Sequence, residues 1–220
     1  MALAMANNTP LNIYETLNTR YGNLDWWPAK SPYEVMVGAV LTQNTAWGNV
    51  EKAIANFTDL SPQFVQDCDV VELAGIIRPA GFFNQKAVYL KAVTAWFEKY
   101  RFDVSAVQRE AQEHLRRSLL AVKGIGKETA DSILLYAFGF PTFVVDAYTM
   151  RLCERYPLDA GKGYDAVKAH FENNLLRDVY IYNNYHAMIV INAKDHCRKR
   201  KPLCEDCPLA MGCKKIGVTP

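Results

Sequence analysis

Apolar residues recur at helical spacing along almost the whole chain, and no stretch sustains the alternation of a half-buried strand. Between residues 32 and 57, Val35, Ala39, Val40, Val50, Ile54 and Phe57 fall on recurring faces. The same reading expects further helices near 11–20, 69–76, 84–100, 105–120, 127–138, 147–155, 163–176 and 179–194. Pro28, Pro32, Pro62, Pro79, Pro141 and Pro157 punctuate them. The chain therefore reads as all-α. It has 220 residues, half of them hydrophobic, enough for one good core or for two lobes sharing a groove. No Gly/Ser-rich linker, internal repeat or low-complexity segment divides it.

The densest chemical signal lies near the C-terminus. Cys197-x6-Cys204-x2-Cys207-x5-Cys213 places four thiols within seventeen residues, enough to enclose one compact metal centre. A tetrahedral zinc site is the simplest reading, but zinc modules usually carry two Cys-x2-Cys pairs and only one occurs here. The other two cysteines, Cys68 and Cys153, read as buried structural thiols. Between and beside the four, Arg198, Lys199, Arg200, Lys201, Lys214 and Lys215 face only Glu205 and Asp206 in opposition. The net charge of the whole chain is only +2. This local excess is either a phosphate-binding patch or a solvated tail.

A second signal sits between two amphipathic helices, in Lys123-Gly124-Ile125-Gly126-Lys127-Glu128-Thr129-Ala130. Two glycines around one apolar residue allow a tight turn, because glycine accepts positive φ without a Cβ clash. The amides opening the next helix can then point at an anion, with Lys123 and Lys127 alongside. A plain interhelical turn would also use such glycines. Downstream, Asp146 before Ala147-Tyr148-Thr149 has the position of a helix N-cap.

No apolar run approaches the ~20 residues of a membrane helix. The segment MALAMANNTPLN lacks a basic start and a long apolar run, so no secretory signal is expected. Clustered cysteines are then expected in a reducing, cytoplasmic compartment, associated with the nucleoid in a prokaryote.

Taken together, residues 32–213 resemble the endonuclease III superfamily of helix-hairpin-helix DNA glycosylases. The hairpin, then Phe138-Gly139-Phe140-Pro141-Thr142, then Val144-Val145-Asp146 follow in the family's order. The resemblance implies a six-helix lobe at about 31–142 carrying the hairpin. A second lobe would combine 1–30 with 143–220, with an iron–sulfur loop at 197–213 and DNA across the cleft between them. It implies that Cys197, Cys204, Cys207 and Cys213 hold a [4Fe-4S] cluster that pins Arg198, Lys199, Arg200 and Lys201 near DNA. It makes Lys123, Gly124, Gly126 and Lys127 a grip on the DNA backbone, and Asp146 the catalytic carboxylate. Members that also nick DNA carry a Schiff-base lysine eighteen residues before that aspartate. Here that position is Glu128, so a glycosylase without lyase activity is expected.

Trp26-Trp27-Pro28, Gly38-Ala39-Val40-Leu41-Thr42-Gln43-Asn44-Thr45 and Gly126-Lys127-Glu128-Thr129-Ala130-Asp131 are most similar to the endonuclease III-related 3-methyladenine DNA glycosylases. That subgroup implies a base pocket of Trp26, Trp27, Pro28, Trp47 and Glu128, in which Trp27 and Trp47 sandwich the flipped base. Trp47, four residues after Gln43, is expected one helical turn beyond it. Gln43 and Phe82 match the two positions that fill the hole left in the duplex. The expected substrate is double-stranded DNA with alkylated purines such as 3-methyladenine, acted on by a monomer. The alternatives are a glycosylase of the same fold acting on uracil or thymine mismatches or oxidised pyrimidines, and a non-catalytic iron–sulfur DNA-binding protein.

Overall fold

The computed structural model describes residues 9–24 and 26–218. Most of the N-terminal segment read above for a secretory signal lies outside them. The described residues hold helices and turns and no strand, and no helix among them is long and apolar enough to cross a membrane. They form two compact units. One runs up to Trp26 and resumes at Pro141; the other is Trp27–Phe140. The boundaries thus fall between the adjacent tryptophans and before Pro141, against the 30/31 and 142/143 read from the sequence.

The continuous unit is built from α2 (Pro32–Leu41), α3 (Trp47–Ala55), α4 (Pro62–Asp67), α5 (Val70–Ile76), α6 (Phe83–Glu98), α7 (Val104–Gln108), α8 (Gln112–Leu120) and α9 (Lys127–Ser132). That makes eight α-helices, most of them short, in this unit. The expected helix at 105–120 is two, parted at Arg109–Ala111. The run 32–57 is also two, because Asn44 takes a left-handed φ of 53°. Gln43 and Trp47 are therefore not on one helix, which overturns their expected one-turn spacing. α4 was not anticipated; a Ser61 cap and Pro62 start it, but it is only six residues long.

α2 is apolar on every side and eight of its ten residues are buried, so it forms the centre of this unit's core. Its Ser31 cap accepts from the Glu34 amide at 3.1 Å. Its other end is closed by an unexpected device. Lys86, 2 % exposed, donates from Nζ to the carbonyls of Leu41 and Ala80, each at 2.8 Å. Burial lowers the lysine's pKa, and two helix-end carbonyls provide the oxygen atoms its ammonium lost from water.

α8 and α9 form the hairpin. Arg116 of α8 clamps Asp131 of α9 with two bonds, Nε to Oδ1 at 2.8 Å and Nη2 to Oδ2 at 3.0 Å, and Asp131 is fully buried. After Ser132 the helix widens into a π-helical stretch, Ile133–Ala137, before Gly139 turns the chain at a φ of 69°.

The other unit contains α1 (Pro10–Tyr21), α10 (Ala147–Arg155), α11 (Tyr164–Asn173) and α12 (Val179–Asp195). Phe143 stacks on Phe171 with centroids 4.4 Å apart, and Tyr182 and Tyr185 meet Phe143 edge-on. The Tyr185 hydroxyl donates to the Pro10 carbonyl at 2.8 Å, tying α12 to the start of α1. Asn184 accepts from the Leu24 amide at 2.8 Å and donates to the Gly22 carbonyl at 3.0 Å, fixing the chain that leaves α1.

Gly124 offers a sharp test of the hairpin. Its φ is +83°, and a Cβ there would lie 2.2 Å from the ring of Tyr89. Gly124→Ala should lower unfolding free energy by about 1–3 kcal/mol from backbone strain alone. Adding Tyr89→Ala should return only the steric part of the loss. Denaturant melts would show this, and an unchanged Gly124→Ala midpoint would refute the account of the turn.

Candidate active site

Asp146 is the N-cap of α10, and its two carboxylate oxygens have different partners. Oδ1 accepts from the Thr149 amide at 2.7 Å and from the Thr149 hydroxyl at 3.0 Å. Oδ2 lies 3.4 Å from Nε2 of His186, on α12. The carboxylate is 9 % exposed. Burial pushes its pKa up. The hydrogen bond and charge of His186, followed by the two Thr149 donors, outweigh burial and leave it below the ordinary carboxylate value. An ionised carboxylate held at a helix N-terminus is suited to stabilising a nearby cation. The cap and the candidate catalytic role thus coincide. His186 was not picked out from the sequence, where a lone histidine in an apolar helix reads as core.

The adjacent tryptophans part company. Trp26 lies in the discontinuous unit, under the Lys194 ammonium at 5.5 Å from its ring centroid. Trp27 belongs to the continuous unit. It meets Trp47 edge-on, with centroids 5.6 Å apart and planes at 81°, and Tyr136 at 4.7 Å and 38°. The two rings that the resemblance pairs about a flipped base are thus in direct edge contact here. The contact has a packing cause. Gly38 of α2 has no side chain, and both indoles lie over it: a Cβ there would meet Trp27 at 3.4 Å and Trp47 at 3.7 Å. Trp47 is further held by its Nε1, which donates to Glu51 at 3.0 Å. Tyr136 was missed because the π-helical stretch, which periodicity does not reveal, decides where it points. Pro28 is exposed beside Trp27, and Glu128 is exposed in the first turn of α9.

The two candidate gap-filling residues differ. Phe82 is 65 % exposed at the head of α6 with a left-handed φ of 47°, a costly conformation for an aromatic residue. Gln43 is tied to the hairpin, its Nε2 donating to the Gly124 carbonyl at 2.9 Å and to Thr129 Oγ1 at 3.0 Å. Entry into a duplex would require it to give up both bonds. In the hairpin itself Lys123 and Lys127 are exposed, Ile125 is buried, and Gly126 caps α9 without a side chain. The first amides of α9 consequently have no side-chain cap.

The four clustered cysteines follow α12 on one loop and are half-buried. Burial pushes the thiols of Cys207 and Cys213 up. Charge on Cys197 and Cys213 adds to this at Cys207, and charge on Cys197 and Cys204 adds to it at Cys213. The sulfurs thus sense one another. Among the described residues, no three His, Cys, Asp or Glu side chains are gathered tightly enough to hold a metal ion. N–H groups nevertheless point at sulfur: Arg155 donates to Cys197 Sγ at 3.3 Å and the Lys215 amide to Cys213 Sγ at 3.4 Å. Four cysteine sulfurs on one loop, with N–H donors beside two of them, are the residue types that could hold an iron–sulfur cluster. Arg155 also donates to the carbonyl of Arg198 at 2.7 Å, bracing the exposed run Arg198, Lys199, Arg200 and Lys201. Of the remaining cysteines, Cys68 is buried as expected. Cys153 is only partly so, its thiol pushed up to about 12 by burial and by the charge of Glu154.

The family profile of HhH-GPD superfamily base excision DNA repair proteins matches residues 37–176. The chain belongs to this superfamily. A Methanocaldococcus jannaschii protein provisionally named a DNA repair glycosylase is 46% identical over 91% of this chain and 94% of its own. The structure of an H. pylori 3-methyladenine DNA glycosylase bound to 1,N6-ethenoadenine superposes with a TM-score of 0.72 and 28% identity, covering 84% of this chain and 97% of that one. A trapped endonuclease III–DNA covalent intermediate superposes with a TM-score of 0.79 at 21% identity, covering 94% and 96%. The all-α HhH-GPD fold is the one expected, and this HhH-GPD protein is a base excision repair DNA glycosylase.

The direction of the Asp146 shift fixes a measurable sign. A carboxylate with lowered pKa stays charged until pH falls beneath the ordinary value of about 3.9. A carbon-13 titration of the Asp146 carboxyl should therefore show a midpoint below that value. A midpoint above it would mean that burial has won over His186 and Thr149.

Proposed function

We propose that this HhH-GPD protein is a monofunctional DNA N-glycosylase that removes alkylated purines from duplex DNA, 3-methyladenine foremost and 7-methylguanine more weakly. The observation that carries this reading is the aromatic group of Trp27 and Trp47 over Gly38, with Tyr136 against Trp27. An N3-methylated adenine is cationic before cleavage, and indole faces attract cations by about 0.5–2 kcal/mol. With the rings crossed, stacking on an outer face or a modest opening of the pair would receive the base. The likeness to the H. pylori enzyme supports the same substrate class.

The chemistry then asks little of the protein. An alkylated, positively charged purine leaves readily, taking the electrons of the glycosidic bond and departing neutral. The sugar left behind is cationic, and Asp146, charged and fixed, stabilises it until water adds at C1′ and loses a proton. Glu128 at the Schiff-base position supplies no amine, so the reaction is expected to stop at the abasic site. The α8–α9 hairpin, with Lys123 and Lys127, grips phosphates irrespective of sequence. Phe82, already exposed, is the better placed of the two candidates to fill the hole. Cys197, Cys204, Cys207 and Cys213 would hold a [4Fe-4S] cluster whose part is to shape the basic loop. The enzyme is expected to work as a monomer.

Free-base release from methylated duplex tests the reading. Wild type should release 3-methyladenine, and Asp146→Asn should bind the same DNA yet release base ~100-fold more slowly. Borohydride should trap little protein on DNA. Release of uracil or mismatched thymine with methylated purines ignored would overturn the substrate, and efficient trapping at a mapped lysine would overturn the monofunctional reading. The cluster has its own check: protein purified without oxygen should be yellow-brown with iron and sulfide in equal amounts. A colourless protein with stoichiometric zinc would exclude it.

A further inference from the structure

Asp146 is held from two different helices, and only one of the holds is explained by capping. Thr149, three residues on in α10, supplies two donors to Oδ1, as any good N-cap partner would. The contact at Oδ2 comes from α12, forty residues further along the chain, where His186 is 6 % exposed. An N-cap needs one oxygen. A second partner on the other oxygen adds nothing to the cap, and the Nε2···Oδ2 approach of 3.4 Å is an ion-pair contact that favours one rotation of the carboxylate plane.

From this geometry we infer that His186 is a positioning residue for the glycosylase reaction, its Nε2–H holding Oδ2 of Asp146 in the orientation and charge state that the sugar cation requires. The inference rests on the reading of Asp146 as the catalytic carboxylate. The physical need is plain. A carboxylate that is nearly buried tends to take up a proton, and a protonated one cannot stabilise a cation. His186 is the titratable group that acts on Asp146, and the other partner, Thr149, is neutral. At 3.4 Å the contact is long for a charge-assisted hydrogen bond, as catalytic hydrogen bonds often are before substrate binds. α12 is well suited to hold the ring. Its residues on either side, Tyr185, Ala187, Met188 and Ile189, are buried, and Tyr185 and Asn184 tether the helix to α1 and the chain after it. The imidazole is thus carried on a stiff support.

Two substitutions and two readouts separate positioning from a merely structural role. His186→Ala should slow single-turnover base release by roughly 10- to 100-fold while leaving the affinity for damaged duplex unchanged. His186→Gln, which keeps a side-chain N–H, should recover most of the rate. Combined with Asp146→Asn, His186→Ala should cost little further, since both act through one carboxylate. The carbon-13 titration of Asp146 in the DNA-free protein should move to higher pH in His186→Ala and return in His186→Gln. That readout does not depend on the lesion. An inactive wild type with the titration shift intact would refute the substrate reading and uphold the contact. Equal rate losses in the Ala and Gln variants, or an Asp146 midpoint unmoved by His186→Ala, would overturn the inference.

Discussion

A single side chain, Asp146, caps α10 and is also the carboxylate on which the proposed chemistry depends. Its Oδ1 closes the first turn of α10 through Thr149, so the same hydrogen bonds that start the helix fix the carboxylate in space. Burial alone would raise the pKa of this carboxylate; His186 and the Thr149 pair bring it below the ordinary value. The far end of α10 continues the theme. Arg151 donates to the carbonyl of Cys197 at 2.7 Å, and Arg155 to its sulfur and to the carbonyls of Arg198 and Lys199. One nine-residue helix therefore begins at the proposed catalytic carboxylate and ends on the cysteine loop.

The continuous unit is organised by the same economy at helix ends. Short helices expose many unpaired carbonyls and amides for their length. Lys86 answers this from within the core, and Gln43 bonds the hairpin carbonyl of Gly124. The Arg116–Asp131 side-chain pair ties α8 to α9 across the hairpin, and removing one partner of such a buried pair typically costs several kcal/mol. The two helices of the hairpin are thereby tied together, with Lys123 and Lys127 exposed beside the turn.

How much of this was legible in the sequence follows the range of the interactions. The long helices, the glycine turn, the cap at Asp146 and the cysteine array are local patterns, and they could be read off directly. The break at Asn44 was hidden because no glycine or proline marks it. Its cost is that Trp47 and Gln43 were placed on one helix when they are not. The π-helical stretch at Ile133–Ala137 shifts side chains by a fraction of a turn, which is why Tyr136 joins Trp27 unannounced. The parting of Trp26 from Trp27 is likewise decided by tertiary partners, Lys194 for one and Trp47 with Tyr136 for the other. His186 and Lys86 show the same limit: they meet partners forty and forty-five positions away, and no local pattern announces either contact.

The central claim is that a fixed negative charge at Asp146 stabilises a cationic sugar. The most direct measurement compares duplexes in which the target nucleotide is replaced by a cationic pyrrolidine abasic analogue or by its neutral tetrahydrofuran counterpart. Wild-type protein should bind the cationic duplex at least about 10-fold more tightly than the neutral one, and Asp146→Asn should abolish that preference. An undiminished preference in Asp146→Asn would place the stabilising charge elsewhere and contradict the account.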